Sequence, residues 1–264
     1  MLSMQHVSVT FNEGTPNEVR ALQDFNLEVQ EGEFITVIGA NGAGKSTLFN
    51  AVAGTIPISQ GQIILNGREV TDLSDHQRSM DIGRVFQNPL LGTCPGLTIR
   101  ENLSLAALRG KHLGLAAGVK RNHDDWFHDL VMSINLGLET RLDTDVSLLS
   151  GGQRQAISLI MATMMKPKLL MLDEHTAALD PNAGVQVIDL TVRFAAQYDL
   201  TVIMITHSMQ QAVSVGSRVV MMNRGSVLFD ISGDERQSLR YGDLIDRFRS
   251  LQTGDELTDR AVLG

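Results

Sequence analysis

Eight consecutive residues near the start of the chain have the types and spacing needed to hold phosphate groups. Gly39-Ala40-Asn41-Gly42-Ala43-Gly44-Lys45-Ser46 fits the pattern G-x-x-x-x-G-K-[ST] without a mismatch. Because glycine has no Cβ, the backbone can turn sharply here and bring its N–H groups close to a phosphate. These N–H groups and the N-terminus of a following helix would form a site of positive potential. The sequence therefore predicts a loop that binds the phosphates of a nucleotide.

Two side chains complete the predicted phosphate loop. Lys45 is expected to reach the β- and γ-phosphates, and Ser46 to supply its hydroxyl to Mg²⁺. The alternative is a glycine-rich surface turn that contains Lys-Ser by chance. The strand-like run before the loop and the helix-compatible stretch Thr47–Ala53 after it argue against that alternative. The residues of this segment expected to contact the nucleotide are Gly39, Asn41, Gly42, Ala43, Gly44, Lys45, Ser46 and Thr47.

Two adjacent carboxylates follow a second apolar run. Leu169–Leu172 has the composition of a strand buried on both faces, and Asp173 and Glu174 come directly after it. In open α/β sheets, ligands bind at the carboxyl edge. We expect Asp173 to bind Mg²⁺ through water, and Glu174 to act as the general base that activates water for attack on the γ-phosphate. Two ordinary surface acids are the alternative, and the complete phosphate loop argues against it.

A second glycine motif, Leu149-Ser150-Gly151-Gly152-Gln153, predicts another helix end that can attract an anion. Ser150 and Gln153 have the spacing of a capping box, which places the start of a helix at Ser150. One nucleotide has no need of two such helix ends within a single chain. A natural solution is that the second end serves a nucleotide held by a partner subunit.

This second motif resembles the signature motif of ABC ATPases, and the resemblance covers about Leu2 to Gly233. In that family two subunits pack head to tail, and each ATP lies between the phosphate loop of one chain and the signature motif of the other. The resemblance therefore implies a homodimer that closes around ATP and Mg²⁺ and opens after hydrolysis. The residues that it assigns to the ATP of the opposite chain are Ser150, Gly151, Gly152 and Gln153.

Gln87 and His207 fall where this family has two further residues of the ATP site. Gln87 follows the strand-like run Ile82–Phe86 and resembles the glutamine that senses Mg²⁺ and the attacking water; alone, it would be a polar residue at a strand end. His207 follows Val202–Ile205 and resembles the switch histidine that hydrogen-bonds the γ-phosphate. A structural histidine is the alternative, and the place of His207 at the carboxyl edge of the sheet argues against it. The resemblance thus implies catalytic roles for Lys45, Gln87, Glu174 and His207.

Three more positions match the family's pattern or depart from it. Asp180 resembles the aspartate of a loop that crosses the dimer interface, and it can also cap a helix that begins at Pro181. Phe11 sits where the family usually has an aromatic residue, most often tyrosine, stacked on adenine; the alternative is a core residue at the end of a strand. His175 stands where proline is common, and we expect a changed loop shape without lost chemistry.

The elements that must position these residues show two patterns of hydrophobicity. Val7–Phe11 and Phe25–Val29 alternate apolar and polar residues, as half-buried strands do, and Gln62–Leu65 ends at the hairpin turn Asn66-Gly67. Continuous apolar runs, typical of central parallel strands, occur at Phe34–Ile38, Leu169–Leu172 and Val202–Ile205. We therefore predict an α/β fold of the P-loop NTPase type, with a mixed or parallel core sheet, an antiparallel β subdomain and an inserted helical subdomain.

The chain is expected to form a single ABC ATPase domain over residues 1–264. The helical subdomain is predicted at about residues 88–160, where Thr98 and Glu101 have capping-box spacing. Residues that recur there at helical intervals are Trp126, Phe127, Leu130, Val131 and Ile134. Residues 234–264 form a short polar tail, with a helix expected at Gln237–Leu251.

Charge and composition limit the possible partners. The formal net charge is -8 at pH 7, which argues against a general basic surface for nucleic acid. No apolar run reaches the roughly 18 residues of a membrane-spanning helix, so a separate permease would have to cross the membrane. Cys94 is the single cysteine, and the impossibility of an internal disulfide fits a reducing compartment. We expect a cytoplasmic protein, bound peripherally at the cytoplasmic face of the membrane.

The resemblance implies ATP-driven transport. One ABC domain without a spanning segment resembles the ATPase of bacterial importers, whose permease would dock on the helical insertion and meet a solute-binding protein. The stretch Leu170–Pro181 and the compact tail most resemble ATPases of poorly characterised importers, some linked to aromatic amino acids. Three alternatives stay open: an exporter with a separate permease, a soluble ABC ATPase acting on ribosomes, DNA or protein complexes, and a module that holds ATP without turnover. Glu174 and His207 together argue against the last.

Overall fold

The first sheet of the computed structural model is antiparallel and is formed by N-terminal strands. The structure describes residues 1–110 and 123–248. The strands β1 (Leu2–Phe11), β2 (Val19–Val29), β4 (Gln60–Leu65) and β5 (Arg68–Glu69) lie in the order β2–β1–β4–β5. Asn66 and Gly67 both have positive φ angles in the turn between β4 and β5, as an Asn-Gly hairpin turn requires. The predicted antiparallel subdomain is confirmed.

The second sheet is the core that carries the predicted buried strands. Its members are β3 (Phe34–Gly39), β6 (Ile82–Val85), β7 (Leu169–Asp173), β8 (Thr201–Ile205), β9 (Arg218–Asn223) and β10 (Ser226–Ile231). They lie in the order β10–β9–β3–β8–β7–β6, and only the β9–β10 hairpin is antiparallel. The phosphate loop follows β3, and the acidic pair lies at the end of β7. Both sites are therefore at the carboxyl edge of one parallel sheet, as predicted.

Neighbouring residues of a central strand face two different cores. On β7, Leu170 and Leu172 pack into a core with the helical region, whereas Leu169 and Met171 pack into a core shared with the antiparallel sheet and α1 (Lys45–Ala53). Because side chains alternate between the faces of a strand, a strand covered on both sides must be apolar at every position. This explains why the run shows no alternation of apolar and polar residues.

The remaining helices are α2 (Asp75–Arg78), α3 (Ile99–Ala106), α4 (Asp124–Met132), α5 (Gly151–Thr163), α6 (Pro181–Gln197), α7 (Met209–Ser214) and α8 (Gly233–Ser238). Helices α3 and α4 and most of α5 fall in the predicted helical insertion, of which residues 111–122 lie outside the described residues. The Thr98 hydroxyl accepts the backbone N–H of Glu101, and the Glu101 carboxylate accepts that of Thr98. The expected capping box therefore starts α3.

The C-terminal helix differs from its prediction. In place of one helix over Gln237–Leu251, α8 ends at Ser238 and a second helical segment occupies residues 241–248; residues 249–264 lie outside the described part of the chain. Leu239 is extended and buried in an apolar cluster with Ile38 and Leu244, which draws the chain out of the helical path. The backbone N–H of Arg240 then donates to Asp243 at the start of the next segment.

Candidate nucleotide-binding site

The loop between β3 and α1 has a backbone that only glycine fits at two positions. A Cβ on Gly39 would lie 2.4 Å from the carbonyl oxygen of Met222. Gly44 has φ of 98°, and a Cβ there would lie 2.5 Å from the carbonyl oxygen of Ala21. The glycines therefore let the loop lie directly against β2 and β9 while it turns into α1.

Lys45 is buried at the start of α1 and bends back over the loop. Its Nζ donates to the carbonyl oxygens of Gly39 at 2.8 Å and Ala40 at 3.0 Å. Burial lowers the pKa of Lys45, while the negative charges of Glu174 and Asp173 raise it. The ammonium group thus lies beneath the loop that is predicted to hold phosphates, close to the acidic pair.

An open cleft of about 740 Å³ lies above the phosphate loop. The predicted residues that line it are Phe11, Asn41, Gly42, Ala43, Gly44, Lys45, Ser46, Thr47 and Glu174. Phe11 is 39% exposed and therefore not a core residue, which leaves its ring available to stack on a base. Gly39 lies beneath the loop and does not line the cleft.

Sequence reasoning missed several residues of this cleft. The wall opposite the loop is formed by Glu18, Val19 and Arg20, and Arg224 approaches from the β9–β10 turn. The Glu18 carboxylate accepts Arg20 Nε at 3.1 Å and the backbone N–H of Gly14 at 3.0 Å, and these bonds lower the pKa of Glu18. No local spacing marks these residues, because they meet the loop only through the pairing of distant strands.

Asp173 and Glu174 have different surroundings although they are adjacent. Burial raises the pKa of Asp173; Arg84, whose Nη2 lies 3.7 Å from Asp173 Oδ2, lowers it, and Glu174 raises it further. Glu174 adopts φ of 43°, a left-handed conformation uncommon for a non-glycine residue, and its N–H donates to the carbonyl oxygen of Ile205 at 3.0 Å. This backbone conformation directs the second carboxylate into the cleft above the phosphate loop.

His207 lies beside Glu174, as the sequence predicts for two residues of one site. Its Nδ1 is 3.4 Å from Glu174 Oε2, and most of its side chain is exposed. The two residues come from the ends of the neighbouring strands β7 and β8. An exposed imidazole at this edge can hydrogen-bond a group that arrives beside Glu174.

A hydrogen-bond network that the sequence did not reveal joins the two loops. Gln211 on α7 donates from Nε2 to Thr176 Oγ1 at 3.1 Å and accepts from Thr206 Oγ1 at 2.8 Å. The same Thr206 hydroxyl accepts the backbone N–H of Ser208 at 3.0 Å. The network therefore fixes the loop after Glu174 relative to the loop that carries His207.

His175 is completely buried in the loop that follows the acidic pair. The Thr191 hydroxyl donates its proton to the carbonyl oxygen of Val187 at 2.8 Å, so His175 Nε2, at 3.1 Å from that hydroxyl, must be the protonated donor. Burial lowers the pKa of His175 to about 4. The imidazole is thus a neutral link between this loop and α6.

Gln87 does not line the cleft above the phosphate loop. It is exposed in an adjoining cleft of about 490 Å³, which Asp173 and Arg84 also line. Ser46 therefore lines the cleft above the phosphate loop, whereas Asp173 lines the second cleft together with Gln87. The structure brings Gln87 near Asp173 but not directly beside Ser46.

The donor set at this edge fits Mg²⁺. Ser46, Gln87 and Asp173 offer only oxygen ligands of the hard type that Mg²⁺ prefers. Within residues 1–110 and 123–248, no three His, Cys, Asp or Glu side chains converge as a metal site. A Mg²⁺ ion here would therefore take its remaining ligands from nucleotide phosphates and water, which is its usual coordination in such sites.

The second glycine motif starts a helix where the capping box predicts it. The Ser150 hydroxyl accepts the N–H of Gln153, and the Gln153 side chain accepts the N–H of Ser150, both at 3.2 Å. A Cβ on Gly152 would lie 2.8 Å from Ala183 Cβ, so the first turns of α5 and α6 are in close contact. Gly151 is exposed, and none of these residues lines the cleft above the phosphate loop.

Asp180 lies next to this second helix end. Its carboxylate caps α6 by accepting the N–H of Ala183 at 3.0 Å, with Pro181 at the first helical position. The residue before it, Leu179, approaches Gly151, where an added Cβ would lie 3.3 Å from Leu179 Cδ2. The loop from Glu174 to Asp180 therefore runs from the phosphate-loop cleft to the signature helix.

These features define a P-loop nucleotide site with an acidic pair and a histidine at the edge of a parallel sheet. A family model described as "ABC transporter" matches residues 22–177. The chain is 41% identical over 250 residues to a tyrosine transport ATP-binding protein of Clostridioides difficile (strain R20291), with 94% of this chain and 98% of that protein covered. It is 33% identical over 242 residues to a phosphonates import ATP-binding protein of Alcaligenes faecalis, covering 87% of this chain and 82% of that protein.

A solved structure supports the same assignment. The fold matches a dimeric ATP-binding cassette in a post-hydrolysis state bound to ADP and Pi with a TM-score of 0.74 and 28% identity, over 88% of this chain and 98% of that one. The chain belongs to the ABC transporter family. It is a nucleotide-binding ATPase subunit whose ATP hydrolysis energises an ABC transporter. Among the described residues, no helix is both long enough and apolar enough to cross a membrane.

Proposed function

We propose that two copies of this chain enclose two ATP molecules, each between the phosphate loop of one chain and the signature helix of the other. The observation that carries this proposal is the separation of Ser150–Gln153 from the cleft above Lys45 within one chain. A helix N-terminus favours an anion, and because this one lies outside the chain's own phosphate site, the anion would come from another chain. The dimeric form of the similar cassette bound to ADP and Pi supports the same arrangement.

Within each composite site, the residues have separate tasks. Backbone N–H groups of the loop and Lys45 hold the phosphates, and Phe11 stacks on the adenine ring. Ser46, Asp173 and Gln87 are the side chains that would hold Mg²⁺, which would neutralise negative charge on the phosphates. Glu174 takes a proton from the attacking water.

His207 donates a hydrogen bond to the γ-phosphate and orients Glu174. The observed 3.4 Å between His207 Nδ1 and Glu174 Oε2 supports this pairing, because it places the two side chains next to each other. Asp180, at the far end of the Glu174 loop, faces the partner chain. Hydrolysis removes the bridge between a phosphate loop and the opposite signature helix, so the dimer opens.

Hydrolysis by Glu174→Gln tests the composite site and the assignment of the base. Glutamine keeps the shape and removes the proton acceptor, so the variant should bind ATP, hydrolyse it at least about 10²-fold more slowly and accumulate as an ATP-bound dimer in gel filtration. Wild-type activity per chain should rise with protein concentration, since both chains contribute to each site. A rate near that of the wild type in the variant would remove Glu174 from the role of base.

We propose that the transporter is an importer of an aromatic amino acid with a separate membrane permease. The tyrosine transport protein of Clostridioides difficile supports this solute class, since the alignment spans nearly all of both chains. The helical region at residues 88–160 is the part on which the permease docks. The loop that follows Gln87 lies at its start and the signature helix α5 begins near its end, so this region connects the permease with both parts of the ATP site. The ATPase then lies peripherally at the cytoplasmic face, and a solute-binding protein would reach it only through the permease.

Uptake into vesicles tests the solute class. The chain, co-purified with its permease and reconstituted with ATP inside the vesicles, should accumulate labelled tyrosine, phenylalanine or tryptophan. Methionine and a phosphonate serve as non-aromatic controls, and the Glu174→Gln protein controls for ATP dependence. Uptake of a control solute instead would overturn the solute class, and efflux would overturn the direction. Co-sedimentation with ribosomes or DNA in place of a permease would overturn the transport role.

A further inference from the structure

One face of the signature helix α5 is in contact with the strand and loop that carry Gln87. Gln155, Ser158 and Ala162 are spaced so that they share a face of the helix. Gln155 Nε2 donates to the carbonyl oxygen of Phe86 at 3.0 Å. Glycines permit the other two contacts: an added Cβ would lie 2.1 Å from Ser158 Oγ at Gly92, and 2.5 Å from the Ala162 carbonyl oxygen at Gly83.

These contacts hold both ends of the short Gln87 loop. Phe86 comes directly before Gln87, and Gly92 closes the 3₁₀ turn at Pro89–Leu91. Within the loop, Asn88 caps this turn by accepting the N–H of Leu90 at 3.0 Å. A loop that is closed on itself, hydrogen-bonded to α5 at one end and packed closely against it at the other, moves with α5 more readily than it moves alone.

The contact at Gln155 is polar although it lies in the interior. Gln155 is 0% exposed, and the described structure gives its Oε1 atom and the Ser158 hydroxyl no hydrogen-bond partner. Apolar side chains would fill this space without an unpaired polar atom. A buried amide therefore specifies a position here, since its bond to Phe86 exists in one register of the helix against the loop.

We infer that Gln155 is a positioning residue that couples the two ATP sites of the dimer. Gln87 belongs to the site of its own chain, and Ser150, five residues before Gln155 on the same helix, belongs to the site of the partner. Because the Gln155 side chain is hydrogen-bonded to Phe86, a shift of Gln87 at one ATP also shifts the signature helix at the other. This inference rests on the proposed composite site.

The test is the ATP dependence of hydrolysis by Gln155→Leu. Leucine has a similar volume and no amide, so the chain folds around it but the Phe86 carbonyl loses its donor. We expect the Hill coefficient, which can approach about 2 for two coupled sites, to fall to about 1. Binding of a fluorescent ATP analogue to the isolated chain should change less than twofold. Thr163→Val is the matched control, because that buried hydroxyl bonds only within α5, to the Leu159 and Ile160 carbonyls.

A second pair of variants tests the same contact without Gln155. Gly92→Ala places a methyl group against Ser158 Oγ and should lower both the Hill coefficient and the maximal rate. Adding Ser158→Ala moves the nearest atom from 2.1 Å to 3.2 Å from the new methyl group and should restore most of both. This pair tests the coupling between the Gln87 loop and α5 if Gln155→Leu does not fold in a thermal-unfolding assay.

The possible results separate the inference from the proposal beneath it. A non-cooperative wild type with no ATP-dependent dimer overturns the composite site and, with it, the coupling. A cooperative wild type beside an equally cooperative, folded Gln155→Leu overturns the coupling alone. Loss of cooperativity in Gln155→Leu and in Gly92→Ala, with Thr163→Val unchanged, supports it.

Discussion

The N-termini of α1 and α5 are both rich in glycine, but they are capped differently. Gly44, before α1, has φ of 98° and gives the helix no side-chain cap. Before α5, Ser150 and Gln153 satisfy each other's backbone N–H groups. The first helix end therefore leaves its N–H groups to a ligand, whereas two N–H groups at the second are already bonded by its own side chains.

This difference indicates that the N-termini of α1 and α5 have separate roles in binding ATP. The phosphate loop is a binding site by itself, since uncapped N–H groups near a buried ammonium favour an anion. The signature helix is stable before any nucleotide arrives, and its exposed Gly151 leaves room for a phosphate that another surface presents. One end captures ATP, and the other completes the site after the chains meet.

Removal of the Lys45 charge is the largest change that the comparison predicts. Lys45→Met keeps the buried stem and removes the ammonium group, so ATP hydrolysis should fall by about 10³-fold and ATP binding should weaken. Hydrolysis is measured by phosphate release and binding by a fluorescent analogue. Lys166→Met, a lysine outside the site, is the control and should retain wild-type activity. Normal turnover by Lys45→Met would contradict the assignment of the first helix end.

Acidic pH should destabilise the loop from Glu174 to Asp180, which runs between the phosphate-loop cleft and the signature helix. The pKa of His175 is about 4 when folded and about 6.5 in the unfolded chain, so the unfolded state binds more protons between these values. The contribution of His175 to the free energy of unfolding is therefore fully present above about pH 6.5 and should fall by about 3 kcal/mol as the pH drops to about 4.

Urea denaturation at several pH values measures this dependence. His175→Gln keeps an N–H donor for Thr191 and removes the titrating group, so it should lose most of the decline between pH 6.5 and 4. The exposed His76→Gln is the control and should keep it. An identical decline in the His175→Gln protein would show that this buried imidazole does not govern the acid stability.

A negative charge on Gly151 should separate the two roles of the signature helix. Gly151→Asp puts a carboxylate in the first turn of α5, where the helix dipole stabilises it, so the melting temperature should hold or rise slightly. The same charge repels a γ-phosphate, and hydrolysis should fall by about 10²-fold. A variant with full activity would show that no phosphate approaches this helix end.

The two capping boxes give the smallest and most closely matched comparison. Ser150→Ala and Thr98→Ala each remove the side-chain cap of one helix, so each should cost about 1 kcal/mol of stability in chemical denaturation. Hydrolysis should decrease only for Ser150→Ala, because Thr98 lies away from every ATP contact proposed for the chain. Equal loss of activity in both variants would reduce the role of Ser150 to capping alone.

Local motifs carried most of what could be predicted from the sequence. The phosphate loop, the acidic pair and the capping boxes are contiguous, so their geometry follows from a few neighbouring residues. The buried strands could be predicted because full burial requires an unbroken apolar run, as in Leu169–Leu172. The same reasoning placed Glu174 and His207 at one sheet edge, and the structure brings them to 3.4 Å.

The remaining parts depend on contacts between distant segments. Glu18 and Arg224 enter the cleft through strand pairing, and Gln211 joins two loops that no sequence spacing connects. His175 was expected only to change a loop shape, and its bond to Thr191 depends on how α6 packs against that loop. The single tail helix was wrong because the burial of Leu239 outweighs local helix propensity.

Mixing two inactive variants tests the central claim most directly. Lys45→Met lacks a working phosphate loop, and Gly151→Asp lacks a working signature helix, so each should hydrolyse ATP only slowly alone. In a mixed dimer, the intact loop of one chain meets the intact signature helix of the other, and the composite site predicts activity well above the sum of the two separate proteins. Activity no higher than that sum, with mixed dimers demonstrated by affinity tags, would contradict the shared site.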